Sequence, residues 1–207
     1  MVETPAQGGR VRTERLHATI RELVNRYSPS GKEHEVVDYT ARLLRSHGFP
    51  VDLREVSDGR CNVEVVFDPK RLRLALFGHL DTVPAFDVET YGFQQADGRI
   101  FGLGTADMKS GCAALIEACL AAGPAALQEA EAGLFLVVGE EEAGDGCAAF
   151  LSEYPGIPAA LIAEPTDLRI CTAHYGYIEM QLRAFDRRRH ASMAGREYNA
   201  IYALLRT

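Results

Sequence analysis

His79 and Asp81 stand on either side of Leu80 at the end of LRLALFGHLDTVP, residues 72–84. In an extended backbone, residues two apart point to the same side, so an imidazole and a carboxylate emerge together. A carboxylate beside an imidazole is one way in which a metal-ligating His is oriented, although polar residues at strand ends are also common without a metal. Two further apolar runs end in acid. GLFLVV, residues 133–138, passes through Gly139 into Glu140, Glu141 and Glu142, and AALIA, residues 159–163, ends at Glu164 with Pro165 behind it. A Gly-rich segment delivers Asp107 just ahead of an Ala-rich helical run. Asp caps helices well, so that position fits an N-cap as readily as a ligand. Lys109, in the first turn, opposes the helix dipole, which points to another task for it.

If the three apolar runs are parallel strands, these groups gather on one edge of a sheet, where open α/β sheets bind ligands. Several carboxylates stay ionised together in a partly dry pocket only with a counter-charge. One His with several carboxylates fits Zn²⁺, Mn²⁺ or Co²⁺ better than Ca²⁺.

The elements that must position these residues are readable from periodicity. Leu16, Ile20, Leu23, Val24 and Tyr27 recur at helical spacing over 11–27. Val36, Val37, Thr40, Leu43 and Leu44 do so over 32–47, with Gly48 placed to stop the helix. Strands are expected at 51–56 and 61–67, the second antiparallel at an edge, and then at 72–78, 133–138 and 159–163. Helices are expected at 108–122 and 146–154. A long loop without periodic pattern, 82–106, carries Gly92, Gly98, Gly102 and Gly104 and is of a length that is usually functional. The predicted fold class is α/β: a largely parallel sheet with helices on both faces. Residues 171–186 alternate in part and read as strands, and a helix begins near Glu197. The first ten residues read as disordered.

The chain has 207 residues, 47% hydrophobic and 25% charged, with a formal net charge of −7. Those are ordinary values for a soluble domain, and the acidic balance argues against a nucleic-acid partner. No apolar run approaches the ~20 residues of a membrane span, and the N-terminus lacks the apolar core of a secretory signal. Cys61, Cys112, Cys119, Cys147 and Cys171 are odd in number and show no C-x-x-C spacing. They read as reduced, buried thiols of a cytoplasmic protein.

Taken together, GHLDTVP, DGRIFGLGTADMKSG, VVGEEEAGDG and AEPTD resemble, in order and spacing, the signatures of the M20 family of metallohydrolases. The resemblance runs from about Leu16 to the end of the chain. It implies a zinc-exopeptidase-like catalytic domain over 11–178 and the start of a smaller α+β lid or dimerisation domain over 179–207. It implies an amide hydrolase of the acetylornithine deacetylase kind, acting on N-acyl amino acids, with a dipeptidase or carboxypeptidase of the same family as the alternative. A metal-binding fragment without turnover is the third reading. Two divalent ions are implied, Zn²⁺ first, with Co²⁺ or Mn²⁺ as alternatives. By the resemblance, His79 and Glu164 hold one metal, Glu141 the other, and Asp107 bridges them. Asp81 orients His79, and Glu140 is the general base. Counting the acidic triplet from the strand instead would move the last two roles to Glu141 and Glu142. RRRHAS, residues 187–192, resembles the start of the lid, where His190 would reach into a partner subunit's site and steady the substrate carbonyl, so a homodimer is implied for the full-length protein. Leu103 stands where the family usually has Arg. The family continues beyond the lid to a further His ligand, so this chain reads as a front part. His17, His34 and His47 lie in the early helices, and His174 is an outside candidate for that ligand.

Overall fold

The Asp58–Gly59 pair joins strand β1 (Val51–Ser57) to β2 (Arg60–Val65) in a tight antiparallel hairpin. Both turn residues have positive φ, 50° and 74°, the conformation that Asp-Gly adopts at little cost in such turns. The computed structural model describes residues 9–173, 175, 176, 178, 180–185, 190 and 199–206. Ahead of the hairpin run helices α1 (Thr13–Val24) and α2 (His34–Ser46). Gly48, φ 82°, ends α2 with its N–H on the Arg45 carbonyl. Gly9 and Arg10 are exposed and irregular, while the rest of the stretch read as disordered lies outside the described residues.

The apolar run at 72–78 forms β3 (Leu74–His79). Later come α3 (Ser110–Ala122), α4 (Pro124–Glu129), β6 (Ala132–Val137), α5 (Asp145–Glu153) and β7 (Ala159–Ile162). The sheet order is β1-β2-β6-β3-β7. β2 is antiparallel to both its neighbours, whereas β6, β3 and β7 are mutually parallel. Four of the five strands therefore run the same way. The expectation that β2 lies at an edge is corrected: β1 takes the edge, because the tight hairpin folds it onto the outer side of β2, and the last four residues of β2 are buried.

Helices cover both faces. Leu134, Leu136 and Val138 point to the face packed by Ile20, Leu23, Val36, Leu44 and Ile116. Phe135 and Val137 point the other way and pack with Phe150 and Tyr154. All six residues of β6 are buried, which explains its unbroken apolar run: a strand covered on both sides has no polar face.

The loop after β3 is not without structure. It carries a two-stranded hairpin, β4 (Gln94–Ala96) and β5 (Arg99–Phe101), turning at Asp97–Gly98, again with positive φ at both residues. The chain divides into two units, 1–168 and 169–207. In the second, the described residues between 171 and 185 form no strand, in contrast to the alternation there. Helix α6 (Ala200–Leu204) begins three residues later than expected. Among the described residues, no helix is long and apolar enough to cross a membrane.

Candidate metal centre

Because β3, β6 and β7 are parallel, their C-terminal ends meet on one edge. His79 closes β3, the acidic triplet follows β6, and Glu164 follows β7. His79 is 1% exposed. Its Nδ1 lies 3.0 Å from the backbone carbonyl of Asp81 and 3.5 Å from the Asp81 carboxylate. With Nδ1 so engaged, Nε2 is the atom offered to the site. It faces Asp107 Oδ1 at 3.2 Å, Glu164 Oε1 at 3.7 Å and Glu140 Oε2 at 3.8 Å. One donor atom each from His79, Asp107 and Glu141 lies within 4.8 Å of the others. Glu142 is exposed and is not in that group.

Asp107 is not the cap of α3. A kinked turn, Thr105–Lys109, closed by the Lys109 N–H on Gly104 O at 2.8 Å, precedes the helix, and Lys109 occupies the cap position. Asp107 has extended backbone angles (φ −120°, ψ 103°) and a cis peptide to Met108. Its carboxylate faces His79 instead of the α3 backbone. Lys109 has the separate task that its position implied. It is 1% exposed, and its Nζ donates to the carbonyls of Leu23 and Arg26 at 2.9 Å each, tying the end of α1 to the start of α3. Burial pushes its ammonium down to about 8.

Asp81 is fully buried and acts as a hub. It accepts the Ser30 hydroxyl at 2.7 Å and the backbone N–H groups of Glu140 and Glu141, both at 3.1 Å. Burial opposes its charge, but the bonds from His79, Ser30 and Glu141 outweigh it and hold its carboxyl below the ordinary range. Ser30 escaped the sequence reading, falling in SPSG (28–31) between the two helical patterns of 11–27 and 32–47. The segment is held by Thr82 N–H on Ser28 O at 2.9 Å and by the Ser28 hydroxyl on Leu80 O at 2.8 Å. These partners lie about fifty residues away, so no local pattern marks them.

The acidic turn is braced on its other flank. Asn62 accepts Val138 N–H at 3.1 Å and donates to Gly146 O at 2.9 Å. Arg60 pairs with Asp145 and with Glu33 Oε1 at 3.3 Å. A backbone bond of 2.7 Å from Gly144 N–H to Gly139 O closes the turn.

The electrostatics are those of a crowded acidic site. Burial, with Asp107 and Glu140 adding repulsion against the pull of His79, lifts Glu164 to about 7. Burial, and then Asp107, raises Glu141. Burial works against a charged His79, yet Asp81, Glu164 and Glu140 together lift it to about 9. The site attracts positive charge, and its nitrogen and carboxylate donors fit a divalent cation of the Zn²⁺, Co²⁺ or Mn²⁺ class.

His190 is an exposed residue of the second unit. His174 and the flanking residues 187–189 and 191–192 of the RRRHAS motif lie outside the described residues. All five cysteines are free; Cys112 and Cys119 are buried, Cys61 and Cys147 half-buried, and Cys171 exposed. The expectation of buried thiols therefore fails at Cys171, which lies beyond the helix-and-sheet core of the first unit.

The chain is similar to known proteins in sequence and in fold. The profile of Peptidase family M20/M25/M40 matches residues 75–205. A probable carboxypeptidase of Aspergillus clavatus is 33% identical over 201 residues, covering 89% of this chain and 47% of the relative. A probable succinyl-diaminopimelate desuccinylase of Staphylococcus epidermidis is 28% identical over 194 residues, covering 90% and 48%. The crystal structure of a tripeptidase from Staphylococcus aureus superposes with a TM-score of 0.53 at 25% identity, covering 74% of this chain and 44% of that one. The chain thus spans about half the length of the curated relatives it matches.

Proposed function

The chain belongs to the M20/M25/M40 peptidase family, and from that membership we propose that it carries the metal-holding and proton-transferring residues of a metal-dependent amide hydrolase. The observation that carries the proposal is the convergence of three parallel strand ends with the turn before α3, bringing His79 to within 3.2–3.8 Å of carboxylates from Asp107, Glu164 and Glu140. The proposed substrates are N-acyl amino acids, on the pattern of acetylornithine deacetylase. Short peptides are the second reading, favoured by relatives named as a carboxypeptidase and a tripeptidase.

His79 and Glu164 would hold one cation and Glu141 a second, with Asp107 placed to serve both. When bound, Zn²⁺, or Co²⁺ or Mn²⁺ in its place, would polarise the scissile carbonyl and acidify the attacking water. Asp81 keeps the His79 ring in the orientation that offers Nε2. Glu140 takes a proton from the attacking water and returns it to the leaving amine. The register of the triplet is supported by Glu141 joining the three-donor group while Glu142 points to solvent. His190 is proposed, from the family resemblance, to steady the substrate carbonyl across a homodimer.

The test is hydrolysis of N-acetylornithine set beside a dipeptide, using the zinc-loaded chain and its Glu140→Ala variant. Turnover of the acylated amino acid alone supports the deacylase reading, and turnover of the dipeptide alone supports the peptidase reading. Loss of either activity in Glu140→Ala supports the base assignment. A metal-loaded chain that turns over neither is the metal-binding fragment without turnover, and a chain that holds no zinc would overturn the proposal.

A further inference from the structure

β3 and β7 exchange ladder bonds at regular steps: Ala159 N–H donates to Arg73 O and Ala163 N–H to Phe77 O, each at 3.2 Å. Two residues further on, the donor facing His79 O would be Pro165, which has no N–H. The paired register ends with Phe77 opposite Ile162. Pro165 thus denies His79 O its ladder donor, and the His79 N–H, which would face Ala163 O in this register, turns to Met108 instead; buried backbone groups need such replacements.

The replacements are sulfur atoms. Met108 Sδ accepts the His79 N–H at 3.3 Å, and Cys112 Sγ–H donates to the His79 carbonyl at 3.0 Å. Both side chains are fully buried. The neighbouring glycines make room for them. A Cβ on Gly78 would lie 2.9 Å from both Cys112 Sγ and Met108 Cε, and a Cβ on Gly111 would lie 2.2 Å from Ala163 O. The start of α3 thus enters between β3 and β7 where their ladder stops.

We infer that Cys112 and Met108 are positioning residues for His79: their sulfur atoms take over the two ladder bonds that β7 does not make. β7 is then free to diverge after Ala163 and to present Glu164 at 3.7 Å from His79 Nε2 instead of pairing alongside it. The inference rests on the reading of His79 as a metal ligand. Thiols are weak donors and thioethers weak acceptors, so the effect is on orientation more than on stability.

The experiment is titration of the metal-free chain with Co²⁺, read by its visible absorption spectrum, for the wild type and for Cys112→Val, Cys112→Ser, Met108→Leu and His79→Ala. Thermal denaturation of each metal-free protein serves as the control. Cys112→Val and Met108→Leu should bind Co²⁺ about tenfold more weakly, at the low end for loss of a group that orients a metal ligand, and with an altered spectrum. Cys112→Ser keeps a donor and should match the wild type. If Cys112→Val and Met108→Leu bind and absorb like the wild type, the inference is overturned. It is equally overturned if Cys112→Ser loses as much as Cys112→Val, since the thiol then only fills space. Should Cys112→Val not fold, Met108→Leu decides the question. A wild type that binds no Co²⁺, or a His79→Ala variant that binds as well as the wild type, refutes the metal-ligand reading itself and the inference with it.

Discussion

The Asp81 carboxylate accepts the backbone N–H of Glu140 at 3.1 Å. One buried side chain at the end of β3 thereby fixes the turn that follows β6. Asp81 also stands beside the His79 ring, so the same group that orients the imidazole sets the position of the acidic turn. The two halves of the site are mechanically one piece, and changes on either half can be separated by what they do to metal and what they do to turnover.

Glu140→Gln removes the proposed base but leaves His79, Asp107, Glu141 and Glu164. Metal content should stay near that of the wild type, while any hydrolysis falls by about 10²–10⁴-fold, the usual contribution of a positioned general base. Metal analysis alongside a rate assay reads both. Loss of metal would make Glu140 a ligand and the assignment of the triplet wrong.

Asp107→Asn keeps the shape of the side chain and removes its charge. Zinc affinity should fall by more than the ~10–100-fold typical of groups that only orient a ligand, measured by competition with a chelating dye. Unchanged affinity and stoichiometry would make the bridging role untenable.

In the metal-free site His79 is lifted to about 9 and Glu164 to about 7. As the proposed ligands, both must lose their protons to bind metal. Affinity should therefore rise with pH up to about 9, more steeply below about 7, where Glu164 also carries a proton. Calorimetry in buffers of different ionisation enthalpy at pH 8 should show roughly one proton released per metal from His79. An affinity that does not change between pH 6 and 9 would contradict this.

Much of this site was legible from strand ends alone. Residues 133–138 read as a buried strand and 159–163 as a short apolar one, each leading into a carboxylate, and although β7 proves exposed along its length, the parallel alignment brings Glu140, Glu141 and Glu164 to His79. Asp58–Gly59 and Asp97–Gly98 are hairpin-turn pairs, but three-residue strands such as β4 are too short to show a period, so 82–106 read as a plain loop. The edge placement of β2 was wrong because nothing local says on which side β1 will pair. Ser30, Cys112 and Met108 were invisible as partners of the site, since each contact is made between segments distant in sequence. Lys109 showed the reverse case: its conflict with the helix dipole was visible, and its partners, the carbonyls of Leu23 and Arg26, were not.

Away from the site, Glu117 on α3 receives Arg15 from α1 in two bonds of 2.6 and 2.9 Å, and the Arg12 N–H at 2.6 Å. Burial pushes its carboxyl up, but these partners win and hold it below its ordinary value. A depressed pKa contributes stability that is present above the unfolded value, about 4.3, and is lost as pH falls through the folded one. Glu117→Gln should cost about 1.5–3 kcal/mol at pH 7, the range for hydrogen bonds to charged groups. The gap in Tm between variant and wild type should close below about pH 4. A gap of equal size at pH 7 and pH 3 would mean that the pair does not stabilise through its charge.

The most direct test is elemental analysis of the purified 207-residue chain after loading with zinc and removal of the excess, beside its His79→Ala variant. The account predicts at least one zinc retained per wild-type chain and its loss in the variant. A wild type that retains none, or a variant that retains as much, would contradict the claim that these strand ends form a metal centre.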